Sequence, residues 1–151
     1  MHVFFIDASW VQGDAGIAAI AIDSSIDSWF VKAHKIQAQS TLEAELRAIF
    51  LALNWAVEFG WQEVHILLDS KIAVQSLNAR KGAPDWKVSS LFYSIVNVIK
   101  VLPVVRFFFM NRSFNTLADG VAKNARIASE LAVLYQGKGN PPVISIDFLN
   151  Q

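Results

Sequence analysis

Four apolar residues, Val3-Phe4-Phe5-Ile6, run without a break into Asp7, and Ala8-Ser9 follow. A short apolar run bounded by turn residues reads as a strand covered on both faces, which places it in the interior of a sheet. That constrains the rest of the chain, which must cover both faces and supply a strand on each side. The aspartate adds a second constraint. Taking an ion out of water without a partner costs on the order of several kcal/mol. Asp7, read as the end of its strand, therefore either reaches solvent or meets a cation.

The 151 residues are enough for one domain with a full core. With 54% hydrophobic and 17% charged residues and a mean hydropathy of +0.36, the chain is apolar enough for a sheet sandwiched by helices. It has no run of about 18 apolar residues, so no spanning helix is expected. The start, Met1-His2, reaches Asp7 too soon for a secretory signal, so an intracellular protein is expected, its compartment open. The absence of cysteine removes disulfides and thiolate metal ligands. Thirteen basic residues balance thirteen acidic ones, which argues against tight, autonomous binding to nucleic acid.

In chain order, Gln12-Gly13-Asp14-Ala15-Gly16 signals a turn, and strands are expected over 17–23 and 29–37. Connections this short require antiparallel hairpins. Ser40-Thr41 offers a helix cap, and Leu42, Leu46, Ile49, Phe50, Leu53 and Val57 follow at helical spacing up to Gly60. A second buried strand runs over 61–69. Helices are expected over 71–77 and 85–100, a strand over 104–110, and a last helix from Thr116 to about Tyr135. Gly137 to Pro142 reads as a loop before the tail. The order β-β-β-α-β-α-α-β-α implies a mixed α/β sheet, antiparallel first and parallel after the crossovers. The domain is placed at 1–136, with 137–151 as loop and tail.

Four acids stand out. Asp7 and Asp69 close the two buried strands, and the C-terminal edge of an open α/β sheet is where ligands bind. On the first helix, Glu43 shares a polar stripe with Arg47 and reads as solvated surface. Glu45 falls among Ala44, Ala48, Ala52 and Ala56, so it faces protein and needs a partner. Asp119, four residues before Lys123, starts the last helix. Taken singly, Asp69 reads as a cap and Asp119 as an ion-pair partner. Together the four make a set of hard oxygen donors suited to Mg²⁺ or Mn²⁺. Two such ions about 4 Å apart can activate a water and stabilise the leaving oxygen in phosphodiester hydrolysis.

These residues resemble the ribonuclease H family, and more closely the type-1 domains of plants and plant retroelement reverse-transcriptase-like proteins. Ile6-Asp7-Ala8-Ser9-Trp10 with Ala15-Gly16-Ile17-Ala18 is similar to the first strand and hairpin. Ala44-Glu45-Leu46-Arg47-Ala48 is similar to the A-E-x-x-A helix, and Leu68-Asp69-Ser70 to the fourth-strand D-S. Arg112 to Lys123 follows R-x-x-N-x-x-A-D-x-x-A-K. The resemblance implies a five-stranded sheet of order 3-2-1-4-5, strand 2 antiparallel, flanked by helices. It also implies a hybrid-specific ribonuclease, and a monomer is expected. Two Mg²⁺ ions, replaceable by Mn²⁺, would be held by Asp7, Glu45, Asp69 and Asp119 to cut the RNA strand of an RNA–DNA hybrid. By position, Ser9, Ser70, Asn115 and Arg112 would lie near the substrate.

The chain departs from the pattern in places. Ala8 and Ala18 replace family glycines, and the loop Asn111-Arg112-Ser113-Phe114 lacks the family's histidine. His2, His34 and His65 read as locally structural, and Trp86 as core rather than a stacking platform. With zero net charge, hybrid binding calls for help from another domain or partner. An interaction module that keeps the fold without efficient catalysis is the main alternative. A phosphoacceptor receiver domain is disfavoured by the opening hairpin.

Overall fold

The computed structural model describes residues 1–23, 28–80, 82–128 and 132–138. The opening stretch forms β1 (His2–Val11), which turns back at once into β2 (Asp14–Asp23) and then β3 (Ser28–Gln37). The turn between β1 and β2 is Gln12-Gly13 alone, with both residues at positive φ. That is the two-residue hairpin geometry matching strand twist. Asp14 to Gly16, read as turn, already pair with β3. Helix α1 (Thr41–Glu58) follows, then β4 (Glu63–Leu68), α2 (Lys71–Ala79), α3 (Ser89–Val101), β5 (Val104–Phe109), α4 (Thr116–Ile127) and β6 (Ala132–Lys138).

The sheet has six strands in the order β5-β4-β1-β2-β3-β6. It contains the expected 3-2-1-4-5 core, with β1 antiparallel to β2 and parallel to β4. The sixth strand corrects the sequence reading. A helix was expected to Tyr135, but α4 stops at Ile127 and the chain re-enters the sheet antiparallel to β3. The run Ala132-Val133-Leu134-Tyr135 is short and apolar, and periodicity alone does not separate helix from strand in such a run. The unpaired edge of β3 decides it, because its backbone groups need partners. The expected loop at Gly137-Lys138 is therefore strand, and β6 crosses the 136/137 boundary. Residues 139–151 lie outside the described residues.

Helix α1 covers one face of the sheet over β1 and β2, with α3 packed against it, and Phe4, Ile6, Leu46, Leu53, Trp55, Ile66, Phe92 and Ile95 are buried there. Helix α4 covers the other face over β1, β2 and β3, against Ala18, Ile20, Val31 and Ala33. The small residues bring α4 very close. A Cβ added to Gly16 would stand 2.0 Å from the Ala122 carbonyl oxygen and 2.4 Å from Arg126 N, so only glycine fits there. Ala18 lies fully buried under the same helix. Trp86 corrects another expectation. It sits in a 3-10 turn capped by Asp85 and is 79% exposed, outside both cores. Among the described residues, no helix is long and apolar enough to cross a membrane.

Candidate active site

The parallel ladder between β1 and β4 ends at Phe5–Leu67. Beyond it the strands part. Asp7 lies in the gap on one side, and Asp69 follows β4 on the other. The expectation that Asp7 closes its strand is corrected here. Pairing with β2 carries β1 on to Val11, so Asp7 closes the ladder with β4 and not the strand. Side chains alternate along a strand, so Asp7 shares the α4 face with Phe5.

Asp7 is 5% exposed. Its Oδ1 accepts a hydrogen bond from Ala8 N at 2.9 Å, and its Oδ2 is buried without a hydrogen-bond partner. Burial first, then the Asp69 carboxylate, with Asp119 adding to it, push the Asp7 carboxyl up to about 8. Asp119 also stands within hydrogen-bonding reach of Asp7 when one of the two is protonated. Across the gap, Asp69 Oδ2 is likewise buried without a hydrogen-bond partner, and Arg112 Nε lies 3.7 Å from it as an ion-pair contact.

Glu45 arrives from α1. Ser40 caps that helix by accepting from Glu43 N at 3.1 Å, and the Glu43 carboxylate accepts in turn from Gln39 N. Glu43 pairs with Arg47 at 3.4 Å, as the polar stripe implied. Glu45 is turned inward among the alanines, all of them buried. Burial raises its pKa, with Asp69 adding to it, while the hydroxyl of Ser70 and the charge of Arg112 act the other way. Ser70 thus has two tasks, since its Oγ also accepts from Ala73 N at 3.3 Å to cap α2.

Asp119 is held at the start of α4 by two devices. Lys123 pairs with it at 2.9 Å. Asn115, 1% exposed, donates its amide to the Ile6 carbonyl at 2.8 Å and accepts Asp119 N on its own backbone oxygen at 3.0 Å. That side-chain bond pins the start of α4 to the residue before Asp7. Its role as a clamp is not visible in sequence spacing, and neither is the close approach at Gly16. Ser9 accepts from Arg126 Nε at 2.9 Å, a further tie between β1 and α4.

Asp7, Glu45, Asp69 and Ser70, with Ile6 and Leu68, line a cavity of about 10 Å³. That is room for about one water or small ion. Among the described residues, no three acids or histidines are drawn together tightly enough to form a ready metal site. The donor chemistry still fits a small hard cation, since every ligand is an oxygen and two buried carboxylate oxygens lack hydrogen-bond partners. The histidines stand elsewhere. His2 pairs with Asp23 at 3.1 Å and stacks on Trp61, and His65 contacts Glu63 at 3.8 Å.

A family model described as reverse transcriptase-like matches residues 5–125. The fold is similar to the N-terminal RNase H domain of a Mycobacterium tuberculosis protein, solved as a fusion with maltose binding protein. The TM-score is 0.75 at 23% identity, covering 83% of this chain and 92% of that one. It is similar to RNase H1 from the halophilic archaeon Halobacterium salinarum, with a TM-score of 0.73 at 16% identity over 82% and 96% of the two chains. It is also similar to LC11-RNase H1 in complex with an RNA/DNA hybrid, with a TM-score of 0.75 at 20% identity over 83% and 96%. No curated protein matches the chain significantly. By the matched family model this chain belongs to the reverse transcriptase-like family, and its fold is that of the ribonuclease H domains.

Proposed function

We propose that this domain hydrolyses the RNA strand of RNA–DNA hybrids with divalent ions, Mg²⁺ or Mn²⁺ in its place, held by Asp7, Glu45, Asp69 and Asp119. The observation that carries the reading is the convergence of acids from β1, α1 and the end of β4 on one cavity, with Asp119 against Asp7 and two buried carboxylate oxygens without hydrogen-bond partners. Two such ions, when bound, supply an activated water and charge stabilisation at the scissile phosphate. The chain's own residues have separate tasks. Ser70 orients Glu45, Lys123 aligns Asp119, and Asn115 keeps Asp119 beside Asp7. Arg112 offers the substrate a guanidinium whose planar fork suits phosphate. In this reading Ser9 and Ser70 contact the substrate, while Asn115, buried and bonded to the Ile6 carbonyl, acts on it only through the strand it holds. The fold's likeness to a structure holding an RNA/DNA hybrid supports the substrate class.

Two features set the expected rate and affinity. The turn before α4 carries no histidine, and loss of general acid–base help lowers rates by about 10²–10⁴-fold. The neutral charge makes hybrid binding weak for a lone monomer, so an added domain or partner raises it. The same two features favour a second reading, an interaction module that binds without turnover.

The test is a hybrid-cleavage assay with Mg²⁺ and with Mn²⁺, beside Asp69→Asn. Metal-dependent cleavage that falls by about 10²-fold or more in the variant is expected. Hybrid binding without cleavage at high enzyme concentration, with ions bound normally, would favour the interaction module.

A further inference from the structure

Arg112 Nε lies 3.7 Å from Asp69 Oδ2, a buried oxygen that accepts no hydrogen bond. At that distance the contact is an ion pair and not a hydrogen bond. Glu45 feels the same positive charge. The two partners differ in freedom, for the Asp69 side chain is 9% exposed and that of Arg112 is 79% exposed. The carboxylate is fixed and the guanidinium is free to leave.

The backbone that carries Arg112 is held. Asn111 Oδ1 accepts from Ser113 N at 3.0 Å, Phe114 N donates to Asn111 O at 2.9 Å, and Asn115 N donates to Arg112 O at 3.0 Å. Asn115 is in turn fixed to Ile6. The side chain of Arg112 therefore swings from a firm base. Among the described residues, the other ion pair reaching the four acids is Lys123 with Asp119, neighbours on one helix. Arg112 instead reaches the cluster from a separate turn. An exposed ion pair of this kind adds little stability, at most about 1 kcal/mol. Its effect on a neighbouring cation is larger.

We propose that Arg112 is the resident counter-cation of the carboxylate cluster: its guanidinium neutralises Asp69 while no divalent ion is bound, and it thereby weakens and sets the affinity of the site for such ions. This rests on the reading of Asp7, Glu45, Asp69 and Asp119 as ligands. Arg112 is a positioning residue here, acting through Asp69. Displaced from Asp69, the guanidinium stays at the rim and is available to a phosphate. It exchanges an anion of the protein for one of the substrate.

The test is calorimetric titration of the hybrid-free protein with Mn²⁺ and with Mg²⁺, for wild type, Arg112→Ala and Arg112→Lys. A single charge and a double charge about 6 Å apart in a well-solvated setting repel enough to change affinity by about tenfold. The expected result is a Kd about three- to tenfold lower in Arg112→Ala. Arg112→Lys, which keeps the charge, should stay near wild type. Tightening in both variants would point to relaxed packing and overturn the charge argument. Unchanged or weaker binding in Arg112→Ala overturns the proposal while leaving the ligand assignment standing. No ion binding by the wild type overturns the ligand assignment, and this inference with it.

Discussion

Asn115 donates its side-chain amide to the carbonyl of Ile6 at 2.8 Å, joining residues 109 positions apart. The bond links two of the four acids, because Ile6 precedes Asp7 and the Asn115 carbonyl begins the helical bonding that carries Asp119. Asn115→Ala leaves a buried carbonyl unpaired, which costs about 1–3 kcal/mol. The larger expected effect is on function. Denaturant melts should show a modest loss of stability, while hybrid cleavage should fall by more than the unfolded fraction explains. Equal losses in the two measurements would reduce Asn115 to a stabilising contact.

Gly16 lies where the sheet meets the backbone of α4 too closely for a Cβ. Gly16→Ala places a methyl group against helix backbone, which cannot swing aside as a side chain can. Overpacking of this kind costs about 1–3 kcal/mol. The expected result is a lower midpoint in urea together with weaker cleavage, since α4 carries Asp119. A variant that melts like the wild type would show that α4 has room to shift.

Burial and the neighbouring carboxylates push the Asp7 carboxyl up to about 8 from an ordinary 3.8, and Glu45 is shifted in the same direction. A raised carboxyl binds its proton more tightly in the folded protein than in the unfolded one. Its contribution to stability is therefore full below about pH 4 and is lost as pH rises to about 8. Without divalent ions, the melting temperature should fall across that window. Asp7→Asn removes the titration, flattens the slope and stabilises the ion-free protein at pH 8 by up to a few kcal/mol. Melting curves from pH 4 to 9 test this directly. A slope that survives in Asp7→Asn would assign it to other groups.

Divalent ions that bind the folded protein alone must stabilise it, by about 2.7 kcal/mol at a hundredfold excess over Kd. Because protons compete for the same oxygens, the rise in melting temperature from Mn²⁺ should be greater at pH 8 than at pH 6. It should shrink in Asp69→Asn. A rise of equal size in that variant would place the ion elsewhere.

Much of this was legible because local rules and tertiary needs agree. The apolar run before Asp7 identified an interior strand, and β1 lies between β2 and β4. The alanine arc turned Glu45 inward, and the four-residue spacing paired Glu43 with Arg47 and Asp119 with Lys123. The failures came where distant pairing decides. The segment after Ile127 was read as helix, yet the free edge of β3 captures Ala132 to Lys138. Asp7 was read as a strand end, but the hairpin partner extends β1 past it. Trp86 was read as core rather than a stacking platform, although its 3-10 turn leaves it exposed. The clamp of Asn115 on Ile6 has no local signature, since neither residue constrains the other until the sheet exists.

The parting of β1 and β4 beyond Phe5–Leu67 has a mechanical consequence. The spacing of Asp7 and Asp69 is set by two strands whose ladder ends two residues before each acid, at the centre of the sheet. Changes in the turn at 111–114 therefore alter the charge that meets Asp69 while leaving the strand spacing beneath it as it is.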